Sequence, residues 1–300
     1  MRFVILGDLH YSDYLTPEQA AARDRIFTHF FQQVLDQHPD FVFAVGDTTH
    51  WGTLSEMRGL EAIVKATQLP LIRVTGNHDC CSVDKALLAP FFLGGRRSQS
   101  VTDLYTSFDA SNVRFVLLDT ARSKHDPAPG GFLSPAQLDW LEQQILTFNE
   151  TDSLQHLVLL GHYPLTNTTR RSHREVMSIF NSDAVTRVFA LLQAGLESPK
   201  SGYYFCGHNH THSIYESPDL PWLHVQTADP LDCRSFRLVT IDCTGLEIKT
   251  IDFDLSSPHL QADFETARDN IPSGFAPQKF AASYGEATDR YVLRRATVSV

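Results

Sequence analysis

A short apolar run that closes on glycine and then on a metal-ligand type of side chain occurs five times in this chain of 300 residues. The endings are Leu6-Gly7-Asp8, Val45-Gly46-Asp47, Thr75-Gly76-Asn77, Leu160-Gly161-His162 and Cys206-Gly207-His208. Short apolar runs bounded by turn residues read as buried strands. Where such strands alternate with helical patterns they form βαβ units, and sites then lie beyond the carboxyl ends of the strands. Glycine ahead of each polar residue lets the backbone turn sharply and bring a side chain close to an ion.

The segments between the runs carry helix signals. Thr16-Pro17-Glu18-Gln19 combines a capping box with proline in the first turn. It predicts a helix to about Gln37, with Ile26, Phe27, Phe30, Phe31 and Val34 on one face and His38-Pro39 as the stop. A second helix is expected over 54–67 and a strand over 69–74. Residues 105–108 and 113–118 read as antiparallel neighbours. Ser134-Pro135-Ala136-Gln137 reads as a second capping box, opening a helix with Leu138, Leu141, Ile145 and Phe148 on one stripe. A strand over 157–160, a helix over much of 174–194 and a strand over 203–206 follow. Short strands are expected at 213–216, 222–225, 236–241 and 246–251. No repeat or linker divides the chain. It reads as one domain over 1–255 and an extension over 256–300 that wraps the domain, joins an oligomer contact or trails as a solvated tail.

The net charge of −10 argues against a nucleic-acid polymer or an anionic membrane as a bulk partner. It leaves room for a small phosphoester, because metal charge overrides the global field locally. The first apolar run is too short for a signal peptide, and no window resembles a membrane span. Five cysteines without zinc-type spacing suit reduced thiols in a cytoplasmic protein. A homodimer is compatible with the sequence.

Taken singly the motifs are weak; with 14 histidines, an Asp-x-His pair arises by chance. As a set, Asp8-x-His10, Gly46-Asp47, Gly76-Asn77-His78-Asp79, Gly161-His162 and Gly207-His208-x-His210 resemble the signature of the calcineurin-like metallophosphoesterase superfamily, over about residues 1–250. The chain is most similar to its compact bacterial branch, which contains cyclic-nucleotide and other phosphodiesterases. The tyrosine ligand of purple acid phosphatases has no counterpart, since His50 stands three residues after Asp47.

The resemblance implies an α/β fold of four layers, two packed mixed β-sheets flanked by helices, with a dimetal site at strand ends. It implies that Asp8, His10 and His210 bind one metal, that Asn77, His162 and His208 bind a second, and that Asp47 bridges them. His78 would protonate the leaving oxygen, and Asp79 would orient His78. Imidazole with carboxylate suits Mn, Fe or Zn better than Mg or Ca. Two such ions clamp a phosphoryl group and supply a hydroxide that attacks phosphorus.

Substrate choice falls outside the signature. Tyr11 adjoins the first motif, and His50 and Trp51 follow Asp47, where a ring can stack on substrate. Arg170, Arg171 and His173 concentrate positive charge after His162, as a grip on a second phosphate or a carboxylate. Arg122–Asp126, with His125, forms another polar loop. His212 and Cys80, Cys81 and Cys206 read as surface or packing residues. Phosphodiester hydrolysis is the first reading; monoester or pyrophosphate hydrolysis is the second. A non-catalytic scaffold is the third, disfavoured because no expected ligand is missing.

Overall fold

The computed structural model describes residues 1–14, 16–193, 200–242, 245–271 and 280–295. Its frame is two six-stranded sheets. In the first, β1 (Arg2–Leu6), β2 (Phe41–Val45) and β3 (Leu71–Val74) run parallel. Beyond β1 the sheet continues antiparallel through β10 (Ser235–Asp242), β11 (Gly245–Asp252) and β12 (Tyr291–Arg295). The second sheet has a parallel centre of β5 (Val113–Leu117), β6 (His156–Leu160), β7 (Ser201–Cys206) and β9 (Trp222–Gln226). Antiparallel strands β4 (Thr106–Ala110) and β8 (Ser213–Glu216) close its two edges.

Side chains alternate faces along a strand, and that alternation builds the layers. Phe3, Ile5, Phe43, Val45, Phe115, Leu160 and Phe205 fill the space between the sheets. Phe3 packs edge-on against Phe43, Phe115 and Phe205 at ring distances of 5.8, 5.5 and 5.9 Å. The intervening residues Val4, Leu6, Val42 and Ala44 point outward onto Ile26, Phe27, Leu60 and Val64 of α1 (Pro17–Leu35) and α2 (Leu54–Thr67). On the far side Val116, Leu157, Leu159 and Tyr204 meet Leu141, Ile145 and Phe189 of α4 (Pro135–Glu150) and α5 (Ser182–Phe189). Burial on both faces explains why these strands read as continuous apolar runs.

Both ends of α1 form as the sequence requires, with the Thr16–Gln19 capping box complete. The box expected at Ser134 is half formed. Ser134 accepts from the Gln137 amide, but the fully buried Gln137 side chain pairs with both backbone groups of Asp119, at 2.9 and 2.8 Å. The long helix expected over 174–194 is also corrected. Only α5 and a single turn at Glu175–Met177 are helical. Backbone groups of 178–180 bond instead to Gly131 and Pro164, which holds that stretch extended.

Short helices α3 (Lys85–Leu88), α6 (Pro230–Cys233) and α8 (Phe280–Tyr284) lie in the connections. After residue 255 the chain adds α7 (Pro258–Asp269), which packs on α1 through Phe264 and Phe30, and then β12 at the sheet edge. Among the described residues no helix is long and apolar enough to cross a membrane.

Candidate metal centre

The five polar strand endings converge at one end of the two sheets. Asp8 and His10 follow β1, Asp47 follows β2, and Asn77 and His78 follow β3. His162 follows β6, and His208 and His210 follow β7. Asp8, His10 and His162 are fully buried, and Asp47 is 1% exposed. His10, Asp47, His208 and His210 all adopt left-handed backbone, with φ of 46, 48, 69 and 49°. For residues other than glycine this costs ~1–3 kcal/mol each and clusters at functional sites. Two glycines are required by close approach. A Cβ on Gly76 would lie 2.1 Å from Asp47 Oδ1, and one on Gly46 would lie 2.4 Å from His162 Nδ1.

Two donor clusters result. Asp8, His10 and His210 form one: His10 Nε2 lies 3.1 Å from His210 Nε2, which is 3.8 Å from Asp8 Oδ1. Asp47, His162 and His208 form the other. There His162 Nε2 is 3.1 Å from Asp47 Oδ2, 3.1 Å from Asn77 Oδ1 and 3.3 Å from His208 Nδ1. Asp47 also lies 4.0 Å from His10 Nε2, so its carboxylate stands between the clusters.

Each imidazole is anchored by its other nitrogen. His162 Nδ1 bonds the Val45 carbonyl at 2.8 Å, and His208 Nε2 bonds that of Val176 at 2.9 Å. His210 Nδ1 meets Asp232 at 3.1 Å, with Asp229 at 3.5 Å, and His10 Nδ1 meets His50 Nδ1 at 3.3 Å. One nitrogen fixed outward and one aimed at a shared point is the arrangement of metal-ligating histidine. The donor set therefore fits two adjacent metal ions.

The electrostatics of the bare residues agree. Burial raises Asp8 to about 6 despite His210 and His162. Burial also opposes ionisation of Asp47, but His162, His78 and His10 outweigh it and hold that carboxyl well below its usual range. His162 and His210 rise to about 9 against their burial, through Asp47 and Asp8 for the first and Asp8, Asp232 and Asp229 for the second. Burial and the neighbouring His162 depress His208 to about 3, and burial with His78 and His210 holds His10 well below the usual histidine value. Perturbed groups of this kind cluster at functional sites.

His78 borders the centre without joining either cluster. Its amide donates to Asp47 Oδ1 at 2.8 Å, and its Nδ1 donates to the His50 carbonyl at 2.6 Å. The expectation that Asp79 orients His78 is corrected. The Asp79 carboxylate, fully buried, accepts from the amides and hydroxyls of Thr48 and Thr49 and from the Gly76 amide. The His50 backbone takes the orienting role instead.

The substrate-side candidates divide. Trp51 is 40% exposed and packs edge-on to His50 at 4.7 Å, on the rim of the centre. His50 is 1% exposed and supports His10 and His78. Tyr11 is corrected: it is 1% exposed, bonds Asp24 at 2.9 Å and lies under the Arg23 guanidinium. Adjacency to His10 misled, because successive residues leave a strand end in opposite directions. Arg170 and Arg171 are corrected as well. Arg170 pairs with Asp289 and Glu286, and Arg171 donates to the carbonyls of Asn209 and Ala282. Both tether the C-terminal segment. His173 is exposed on that loop. Asp229 and Asp232 were missed. Asp229-Pro230 is a helix-start signal, and Asp229 does cap α6, but its approach to His210 has no mark in the local sequence.

Fold and donor set together define the class of metal-dependent phosphoesterases. The chain belongs to the calcineurin-like phosphoesterase family, whose profile matches residues 1–212; the family is one of hydrolases with a dinuclear metal centre. It is similar to the 3',5'-cyclic adenosine monophosphate phosphodiesterase CpdA of Escherichia coli (strain K12), at 25% identity over 240 residues, 78% of this chain and 76% of that protein. It is also similar to the glycerophosphodiester phosphodiesterase GpdQ of Enterobacter lignolyticus, at 25% identity over 178 residues, 59% of this chain and 58% of that protein. Its fold matches a dimetal phosphatase from Danio rerio with a TM-score of 0.68 at 15% identity, covering 85% of this chain and 99% of the other.

Proposed function

We propose that this chain hydrolyses a phosphodiester of a small organic molecule, a nucleotide or another diester, at a centre of two Mn, Fe or Zn ions. Asp8, His10 and His210 would hold one ion, Asn77, His162 and His208 the other, and Asp47 would join them. The observation that carries this reading is the set of four imidazoles, each anchored on one nitrogen and convergent on the other. When bound, the metals offset charge on the phosphoryl oxygens and lower the pKa of water. The chain supplies orientation and a proton. With its Nδ1–H given to the His50 carbonyl, His78 exchanges protons at Nε2, the position from which it protonates the departing oxygen. The preference for a diester follows the activities of CpdA and GpdQ. A reducing, cytoplasmic setting fits the four described cysteines, all free.

Turnover of bis(4-nitrophenyl) phosphate against 4-nitrophenyl phosphate, with Mn added, tests the reading. Faster hydrolysis of the diester is expected. Turnover of the monoester alone would replace the diester reading with the monoesterase one. Silence toward both, with two metals bound, would leave a scaffold.

A further inference from the structure

A cleft of about 270 Å³ opens beside the metal centre, and Asn77 forms part of its wall. Cys81, Tyr163, Arg122, Lys124, Asp126 and Gly130 line it as well. Because Asn77 also belongs to the donor set, a molecule held by the metals reaches the cleft directly. The cleft has room for a small organic group.

The cleft wall carries two cations, Arg122 and Lys124, and one carboxylate, Asp126, in a chain that is acidic as a whole. Arg122 is built in rather than loose: its side chain is 12% exposed. Its Nε donates to the Gly130 carbonyl at 2.9 Å, its Nη1 to Asp126 at 2.6 Å, and its guanidinium lies over the Phe132 ring at 4.8 Å. These contacts fix the plane of the group, while its Nη2 meets no acceptor among the described residues. Lys124 reaches Asp84 at 3.3 Å, but that carboxylate is 54% exposed and Lys124 itself 26%. A water-exposed pair of this kind is weak and readily exchanged for a ligand. A pre-oriented guanidinium edge beside an exchangeable ammonium is the chemistry that recognises a carboxylate or phosphate.

Resting on the diesterase reading above, we propose that this cleft seats the ester arm that stays on phosphorus, and that the arm ends in an anionic group held by Arg122 and Lys124. Three diesters sharing 4-nitrophenolate as leaving group test it, with ethyl, 2-carboxyethyl or 2-phosphonooxyethyl as the retained arm. The chemistry of departure is then constant, and only the charge of the retained arm varies. In the metal-loaded wild type, kcat/KM for at least one anionic arm should exceed that for ethyl by about ten-fold or more, the worth of one charge-assisted hydrogen bond. The larger of the two ratios identifies carboxylate or phosphate as the preferred group. Lys124→Ala and Arg122→Gln should each lower that ratio toward one. A wild-type ratio near one, or a ratio that neither variant changes, would overturn the subsite while leaving the diesterase reading intact. No turnover of any of the three would overturn the diesterase reading and the subsite with it.

Discussion

The metal centre is held from two sides by different means. On the side of β2 and β3 the clamp is one buried carboxylate. Asp79 gathers the Thr48, Thr49 and Gly76 groups at 2.9–3.2 Å, all from within about 30 residues of chain. On the side of β7 the clamp is divided among several later segments. Asp232 orients His210, and the carbonyls of Ala282 and Ser283 take bonds from Thr211 and His212. Asp289 draws in Arg170 and the Ile214 amide. The first side is pre-formed by local chain geometry. On the second, His210 is anchored by residues after 228, Asp229 and Asp232. Asp47 and the convergent imidazoles belong to both.

Breaking the shared element should have the largest effect. Asp47→Ala should remove at least one of the two metals and cut turnover by more than ~100-fold, the upper range for ligand-supporting residues. Elemental analysis of the purified variant checks it, and full metal occupancy would contradict a shared ligand. His78→Ala should leave both clamps and both metals in place while turnover falls by ~10²–10⁴-fold, the usual loss for a general acid. A fall in metal content would make His78 a ligand.

The clamps themselves are compared by stability. Asp79→Ala strips the acceptor from five buried donors and should cost at least ~3 kcal/mol in denaturant unfolding, whereas Asp79→Asn keeps an acceptor and should cost less. Asp289→Ala removes the buried acceptor of Arg170 and of the Ile214 amide and should cost about 1–3 kcal/mol. Its signature should be weaker binding of the metal at His210 with the other site unchanged. Equal losses at both sites would erase the distinction between the sides.

The smallest effect is one of pH. In the metal-free protein His162 and His210 are raised to about 9, so the stability from their charged pairs is fully present below about 6.5 and lost as pH rises through about 9. Metal binding requires these rings neutral and releases their protons. The melting temperature of the metal-free protein should therefore fall between pH 7 and 9, while the gain on adding Mn grows over the same window. A gain that shrinks with pH would contradict these assignments.

This contrast also explains what could be read from the amino-acid order. Every strand ending that contributes to the centre was visible, because a donor at the end of a buried strand leaves a local mark: an apolar run, a glycine, a polar side chain. The same local logic gave the Thr16–Gln19 capping box and the core-facing stripe of α1. It failed wherever a contact joins distant segments. Arg170 and Arg171 looked like a substrate grip because the C-terminal partners that engage them lie more than 100 residues away. Gln137 left its capping box for Asp119, and 178–180 left the expected helix for Gly131 and Pro164. Asp232 carried no signal of its own, since only the folded chain brings it to His210.

Two ions are expected to share Asp47. Anomalous scattering from crystals of the protein grown with Mn tests it most directly. The account predicts two peaks per chain, one among Asp8, His10 and His210 and one among Asn77, His162 and His208, with the Asp47 carboxylate between them. A single peak, or a peak within the neighbouring group of His10, His50 and His78, would contradict it.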